Sequence, residues 1–280
     1  MGVLCGQVEA QTPAPNIFPN QAARQADPGR WTGYLSVGYS TNYDVRGLIP
    51  STTVCENLTS CVLSGCYKID EKTYITARAD YEILWDKGIL DRNQLNFRGV
   101  IDHELTSNLT LRAGYDVYKG GVLGYFAQNI EHNKRDMTQE VLFGFRYEFA
   151  DWGLKNLYFG AQSHYSFYGM WGWWWDTSLG YKWEVSDRLD VLFTGTWYTS
   201  SCYWDRKVPL LASGTQAYVL QIDLPYAISD HVSIAPFVSM SRLGNGARKN
   251  RHLRDIPFTS VNRMFEKFGV VGGVNISYHF

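Results

Sequence analysis

Hydrophobic and polar residues alternate over long stretches of this chain. Between Trp31 and Val45 the odd positions are mainly aromatic or branched apolar residues, and the even positions are mainly Ser, Asn or Asp, with Arg46 following. A period of two is that of a β-strand, whose successive side chains point to opposite faces. Thr73–Trp85 and Leu157–Tyr168 show the same division. The pattern predicts an all-β protein in which each strand has one apolar and one polar face.

Strands of this kind cover most of the chain and are long. We predict them at Trp31–Val45, Cys55–Ile69, Thr73–Trp85, Leu95–Glu104, Leu109–Tyr118, Val141–Phe149, Leu157–Tyr168, Trp173–Glu184, Leu189–Thr199, Tyr218–Ile228, Val232–Met240 and Phe268–Phe280. A soluble β-sandwich also has alternating strands, but most of these run to about ten to fourteen residues, which suits a tilted strand crossing a bilayer better. We therefore predict an antiparallel transmembrane β-barrel with a polar interior.

The connections between these strands alternate in length. Short polar turns occupy 70–72, 106–108, 151–155, 186–188 and 229–230, and mostly longer segments lie between them at 47–54, 86–93, 119–136, 202–214 and 243–267. Short turns on the periplasmic side and longer loops on the extracellular side are typical of outer-membrane barrels. Five short turns and two chain ends on one side predict an even number of strands, about twelve.

Composition excludes two other classes of protein. The formal net charge is −1 and the mean hydropathy is −0.25, which argues against a helical membrane protein and against a basic nucleic-acid binder. No stretch of about 18 apolar residues is present. Aromatic residues make up 15% of the chain, and Trp31, Trp85, Trp152, Trp183 and Trp197 fall near predicted strand ends, where amphipathic rings favour the headgroup region. In the run 171–175 we expect the odd members, Trp171, Trp173 and Trp175, outward and Trp174 inward.

The start of the chain divides into two short segments. We interpret 1–10 as a residual secretory signal, because Val8-Glu9-Ala10 has the shape of a cleavage site, and 11–30 as a flexible leader before a barrel at 31–280. Cys55, Cys61, Cys66 and Cys202 leave open one structural disulfide or none. Their spacing matches no metal-binding motif, and we predict neither a metal site nor a cofactor.

The polar faces carry many charges, which a barrel interior must either hydrate or pair. The predicted interior residues are Arg46, Arg78, Asp80, Glu82, Arg98, Asp102, Arg112, Asp116, Arg146, Glu148, Asp176, Lys182, Asp190 and Asp223. In one interpretation they line a narrow channel for small hydrophilic solutes, and the acidic excess favours cations. In the other they cross-link a closed structural or adhesive barrel that acts through its outer loops.

The last predicted strand ends in Phe280, with Tyr278 and Ile276 on the same face. This segment resembles the terminal strand of Gram-negative outer-membrane proteins, which the barrel assembly machinery recognises. The resemblance implies that machinery as a partner. For a barrel in this membrane we expect outer-membrane lipid and lipopolysaccharide as surroundings, and a monomeric or loosely associated protein. The basic residues between Arg242 and Arg263 either bind lipopolysaccharide phosphates or form a solvated loop. Tyr43-Asp44-Val45-Arg46-Gly47 is similar to a segment of uncharacterised outer-membrane barrels.

His164-Tyr165-Ser166 places a histidine and a serine on one face of a predicted strand. The pair resembles the His-x-Ser of outer-membrane phospholipase A and of the lipid A deacylase, in which the histidine activates the serine as an acyl nucleophile. Those enzymes follow the serine with Asn, whereas this chain has Phe167. In those families the pair faces lipid, and the alternation here predicts that His164 and Ser166 face inward. We therefore predict no enzymatic activity, with a lipid hydrolase as the third interpretation.

Overall fold

The computed structural model describes residues 27–41, 57–85, 93–120, 137–169, 171–201, 213–248 and 267–280. These residues form a closed antiparallel β-barrel with twelve strand positions and one additional short strand. The strands are β1 (Trp31–Ser40), β2 (Asn57–Lys68), β3 (Thr73–Trp85), β4 (Gln94–Glu104), β5 (Leu109–Gly120), β6 (Met137–Glu148), β7 (Leu157–Tyr168), β8 (Gly172–Ser186), β9 (Leu189–Ser201), β10 (Gly214–Asp223), β11 (Tyr226–Ala227), β12 (Val232–Leu243) and β13 (Phe268–His279).

Apart from β10 and β11, each strand pairs with its neighbours along the chain, and β13 closes the ring by pairing with both β12 and β1. β10 and β11 together fill one position between β9 and β12. The chain is interrupted between them at Leu224 and Pro225, because proline has no N–H to donate to the ladder. The expected barrel of about twelve strands is therefore confirmed.

Two predicted strands, Thr73–Trp85 and Leu157–Tyr168, have the observed bounds, and the others differ at one or both ends. Two of the predictions need a larger correction. The strand expected at Val141–Phe149 begins earlier, at Met137, and ends at Glu148, because the next residues form a 3₁₀ turn, Phe149–Trp152. The single strand expected at Tyr218–Ile228 is divided by Pro225, as described above.

The outward face of the barrel is apolar and the inward face is polar. On β1, Leu35 and Val37 are about half exposed, whereas Ser36 and Ser40 are buried inside. This arrangement is the reverse of that in a water-soluble barrel, and it matches a surface in contact with lipid. Within the ranges that the structure describes, no helix is long and apolar enough to span a membrane. A short helix, Asn245–Arg248, follows β12.

Aromatic side chains concentrate near the ends of the outward face. Trp31, Trp85, Trp152, Trp183 and Trp197 are all exposed, as the sequence predicts. Trp173 and Trp175 point outward with stacked rings whose centroids are 6.0 Å apart, whereas Trp174 is fully buried inside the barrel. The predicted parity is confirmed for Trp173, Trp174 and Trp175, and Trp171 precedes the strand.

The five predicted short turns all join neighbouring strands at one end of the barrel, which we call the turn end, and the opposite end is the loop end. Polar side chains close several of these turns. Thr106 Oγ1 accepts hydrogen bonds from the N–H groups of Asn108 and Leu109, and Ser186 Oγ accepts one from Leu189 N–H. Ser229 Oγ does the same for Val232 N–H. These side chains satisfy backbone donors that the strands leave free.

Asp70 closes the turn between β2 and β3 and provides a prediction on pH. Its Oδ1 accepts a hydrogen bond of 2.8 Å from the Lys72 N–H, which lowers the pKa of Asp70 below its usual 3.8. A lowered folded-state pKa adds stability above the unfolded-state pKa, and this stability is lost as the pH falls through the folded-state value. We expect NMR titration to give a midpoint below 3.8. A midpoint at or above that value would contradict a hydrogen bond that stabilises the Asp70 carboxylate. In the control variant Asp70→Asn, the titration should disappear while the turn is kept.

The seam between β1 and β13 depends on Gly33. Its N–H donates to the Phe280 carbonyl at 2.9 Å, and the Phe280 N–H donates back to the Gly33 carbonyl at 3.0 Å. A Cβ at position 33 would lie 2.6 Å from the Ser64 carbonyl oxygen and 2.7 Å from the ring of Phe280. The ring of the last residue therefore lies in the space that a side chain at Gly33 would fill.

Candidate functional site in the barrel interior

The charged residues predicted to line the interior lie on the inward faces of their strands, wherever the structure describes them. Buried ones are Arg78, Glu82, Asp102, Arg112, Asp116, Asp176 and Asp223, and partly buried ones are Asp80, Arg98, Arg146, Glu148, Lys182 and Asp190. Arg46 lies outside the described residues, as do Asp44, residues 1–26 of the predicted signal and leader, and most of the basic segment after Arg248. Arg242 lies on the outward face of β12 and is exposed.

Two arginine–carboxylate forks join β4 to β5. Arg98 donates to Asp116 from Nε at 2.7 Å and from Nη2 at 2.9 Å. Arg112 binds Asp102 with the same two distances. Both pairs are direct partners in the register between the two strands. Bidentate pairs fix the geometry of both side chains, so this wall of the interior is well ordered.

Other ion pairs follow the inward faces of single strands. Arg78 Nε lies 2.6 Å from Asp80 Oδ1, and Lys182 Nζ lies 2.6 Å from Glu184 Oε1. Arg146 lies 3.4 Å from Glu148 near the turn end, and its guanidinium also stacks on the ring of Tyr158, 3.9 Å from the centroid. These partners stand two residues apart because alternate residues of a strand share a face.

Glutamine side chains support two more of the predicted carboxylates, and these glutamines were not among the predicted interior residues. Gln94 Nε2 donates to Glu82 at 3.0 Å, and Gln221 Nε2 lies 3.0 Å from both oxygens of Asp223. The contact between Gln221 and Asp223 could be predicted from the sequence, because the two residues share a face of one strand. The contact between Gln94 and Glu82 joins β3 to β4 and depends on the register, which the alternation does not specify.

A cluster of titratable groups lies in the half of the interior near the loop end; we call it the histidine cluster, comprising Asp116, Glu140, His164 and Asp176. These residues come from β5, β6, β7 and β8. His164 Nδ1 lies 3.6 Å from Asp116 Oδ2 and 3.6 Å from Glu140 Oε2, and His164 Nε2 lies 3.1 Å from Asp176 Oδ2. All four side chains are buried. One ligand atom from each of Asp116, Glu140 and His164 fits within 4.8 Å of the others.

His164 and Ser166 face inward, which confirms their predicted parity. The Ser166 hydroxyl donates to the Gln139 carbonyl at 3.5 Å, whereas His164 faces carboxylates. A barrel lipid hydrolase that draws its acyl chain from the bilayer needs this pair on the lipid face. The arrangement here does not meet that requirement.

The described cysteines lie on different faces of one strand. Cys61 is exposed on the outward face of β2, and Cys66 is buried on its inward face. They cannot pair with each other, because side chains on opposite faces of a strand point away from each other. Cys55 and Cys202 lie outside the described residues, so the predicted choice between one disulfide and none stays a prediction.

Comparison with known proteins identifies a fold and no family. No family model matches the chain, and no curated protein matches it either. An outer-membrane channel from Pseudomonas putida F1 superposes with a TM-score of 0.55 at 10% identity, covering 95% of this chain and 100% of that one. The NanC porin gives a TM-score of 0.49 at 11% identity, covering 88% of this chain and 98% of that one. The KdgM porin gives 0.48 at 8% identity, covering 89% and 99%.

The similarity to the Pseudomonas putida F1 channel establishes the fold alone. The sequence identities are too low to transfer a substrate or a mechanism from any of the three proteins. The chain has the fold of a porin-like outer-membrane β-barrel.

Proposed function

We propose that this protein is a narrow channel for small hydrophilic solutes in the outer membrane of a Gram-negative bacterium, with its turn end in the periplasm. The observation that carries the proposal is the contrast between the two faces of a closed barrel: an apolar exterior and an interior lined with charges of both signs. An interior of fixed charges is suited to replacing the hydration of a polar solute as it passes.

The turn end of the interior supports this proposal. Side chains there keep contact with water, with exposed fractions of 15% for Arg146 and 28% for Glu148. Lys182 and Glu184, on β8, are 15% and 57% exposed. The proposed periplasmic mouth therefore presents ion pairs of both signs to solvent, and a small zwitterion or ion can exchange contacts with them.

A closed barrel that acts through its loops is the second candidate, and one observation favours it. Asp102, Asp116 and Glu140 are 0%, 1% and 0% exposed, so water does not reach these carboxylates in the conformation described. A channel must therefore pass solutes beside them or open further when it conducts.

Single-channel recording of the refolded protein in a planar bilayer separates the channel from the closed barrel. Discrete current steps are expected for a channel, and silence from protein shown to be inserted supports the closed barrel.

Selectivity provides a sharper test of the channel. Arg146→Glu places a second acid beside Glu148 at the turn end, and we expect the reversal potential in a salt gradient to shift toward cations. Arg98→Glu should shift it in the same direction. Arg188→Glu is the matched control, because Arg188 is exposed in the turn between β8 and β9, outside the interior. Reversal potentials that are unchanged in both interior variants would contradict a channel lined by these residues.

The remaining partners are part of the same proposal. Phe280, Tyr278 and Ile276 lie on the outward face near the seam, exposed to the surroundings, where assembly machinery can contact them. Lipid and lipopolysaccharide surround the apolar exterior, and the ring closes within one chain, which supports a monomer as the functional unit. Arg242, which is exposed on the outward face of β12 at the loop end, and the basic residues that follow it in the sequence are proposed to meet lipopolysaccharide phosphates.

A further inference from the structure

We infer that the histidine cluster binds one divalent transition-metal ion of the Zn²⁺ type, with Asp116, Glu140 and His164 as its ligands and Asp176 as the residue that positions the histidine. This inference goes beyond the proposed function, because a closed barrel would hold the ion as well as a channel would.

The first argument is the distance between the ligand atoms. His164 Nδ1 lies 3.6 Å from a carboxylate oxygen of Asp116 and 3.6 Å from one of Glu140. Both distances are too long for hydrogen bonds. Two ligands bound to the same Zn²⁺ at about 2.0–2.1 Å lie roughly 3.4 Å apart in tetrahedral geometry. Both distances from His164 Nδ1 are therefore close to the edge of a coordination shell, and all three ligand atoms lie within 4.8 Å of one another.

The second argument is the orientation of the imidazole. Asp176 Oδ2, 3.1 Å from His164 Nε2, accepts the Nε2 proton in the neutral tautomer. The Nδ1 lone pair then points toward Asp116 and Glu140. Two carboxylates around Nδ1 are stable together only with a cation between them, either a metal ion or a proton on Nδ1, and the test below distinguishes the two. A carboxylate that orients a histidine from the far side of its ring is the usual outer partner of a metal-bound histidine.

The ligand types and their surroundings indicate the kind of ion. One nitrogen and two carboxylate oxygens suit a borderline ion such as Zn²⁺ better than Ca²⁺ or Mg²⁺, which prefer oxygen alone. Asp116, Glu140, His164 and Asp176 are at least nine-tenths buried, so little water competes for the ion.

Two contacts on Asp116 limit the affinity. Arg98 occupies both of its oxygens, and the Tyr118 hydroxyl donates to Oδ2 at 3.2 Å. A metal ion on Oδ2 has to displace the Tyr118 hydrogen bond, which is the longest of these contacts. Arg98 also offsets part of the carboxylate charge. We therefore expect binding that is reversible and weaker than in a structural zinc site with thiolate ligands.

The test is calorimetric titration of ZnCl₂ into the refolded protein in neutral detergent at pH 7.5, with barrel folding checked by heat-modifiable gel migration. We expect one ion per chain. His164→Ala and the isosteric Glu140→Gln should abolish this binding, and Asp176→Asn should weaken it by at least about tenfold. His103→Ala and His231→Ala are matched controls, because both histidines are exposed and outside the cluster, and they should bind Zn²⁺ like the wild type.

Two results would overturn the inference. One is the absence of stoichiometric Zn²⁺ binding by folded wild-type protein; ¹⁵N shifts that show His164 doubly protonated at neutral pH would then identify an Nδ1 proton as the cation between the carboxylates. The other is binding that survives in folded His164→Ala and Glu140→Gln. Failure of the proposed channel is detected separately, because absent conductance leaves the calorimetric result unchanged.

Discussion

Arg112→Leu is expected to destabilise the barrel by about 3–5 kcal/mol, because it removes one partner of a buried ion pair and leaves the other charged. The side chains of Arg112 and Asp102 are 1% and 0% exposed, so water cannot take over the lost interactions. The fork between them also fixes β4 against β5. Urea-dependent unfolding in detergent micelles measures the change in free energy.

The double variant Asp102→Leu/Arg112→Leu tests the cause. Replacing both charges with apolar side chains removes the uncompensated carboxylate. We therefore expect a free energy of unfolding well above that of the single variant and close to that of the wild type. Arg30→Leu is the control, because the Arg30–Asp27 pair is exposed and 3.7 Å apart, and its loss should cost less than about 1 kcal/mol. A single variant as stable as the wild type would show that Asp102 is not held as a buried charge.

Gly33→Ala is expected to cost about 1–3 kcal/mol, because the added methyl group overpacks the seam between β1 and β13. The Cβ would lie 2.6 Å from the backbone oxygen of Ser64 and 2.7 Å from the Phe280 ring, and the backbone atom cannot rotate away. The measurement is again urea-dependent unfolding, together with the fraction of protein that reaches the folded gel band during refolding.

Gly65 provides a matched control for this substitution. It pairs directly with Gly33 across β1 and β2, but a Cβ there would meet only the Trp31 ring at 3.5 Å, an ordinary contact. Gly65→Ala should therefore be neutral or slightly stabilising, since alanine reduces the freedom of the unfolded chain. Equal losses in Gly33→Ala and Gly65→Ala would indicate a general intolerance of side chains in these strands, and the close approach of Phe280 would not be the reason.

Most of the fold could be predicted from the sequence, because lipid and interior impose opposite polarity on successive residues. The alternation in Leu157–Tyr168 gave the right bounds and the right face for His164. The turns were predictable because Asp70, Thr106, Ser186 and Ser229 satisfy local backbone donors within a few residues. The break at Pro225 was missed because apolar residues alternate through it.

The candidate site was predictable only as a set of inward charges. Parity alone places Asp116, Glu140, His164 and Asp176 inside, but it does not say which of them meet. The strands of a barrel are tilted and staggered, so neighbours in space occupy different positions along their strands. Glu140 is the direct partner of Ser166 in the β6–β7 register, while its carboxylate lies near His164. Sequence periodicity contains no information about that stagger.

The pairing of β1 with β13 also has a consequence for how the molecule forms. Ser36 donates a hydrogen bond to the Ile276 carbonyl, across a sequence separation of 240 residues, whereas every other junction joins strands that are adjacent or nearly adjacent in the chain. Hairpins can therefore form early and locally, but the last junction demands the largest loss of chain entropy. Until it forms, the growing sheet has two unpaired edges that could capture another chain. The time between synthesis of β13 and its arrival at β1 is thus the period of greatest risk for aggregation.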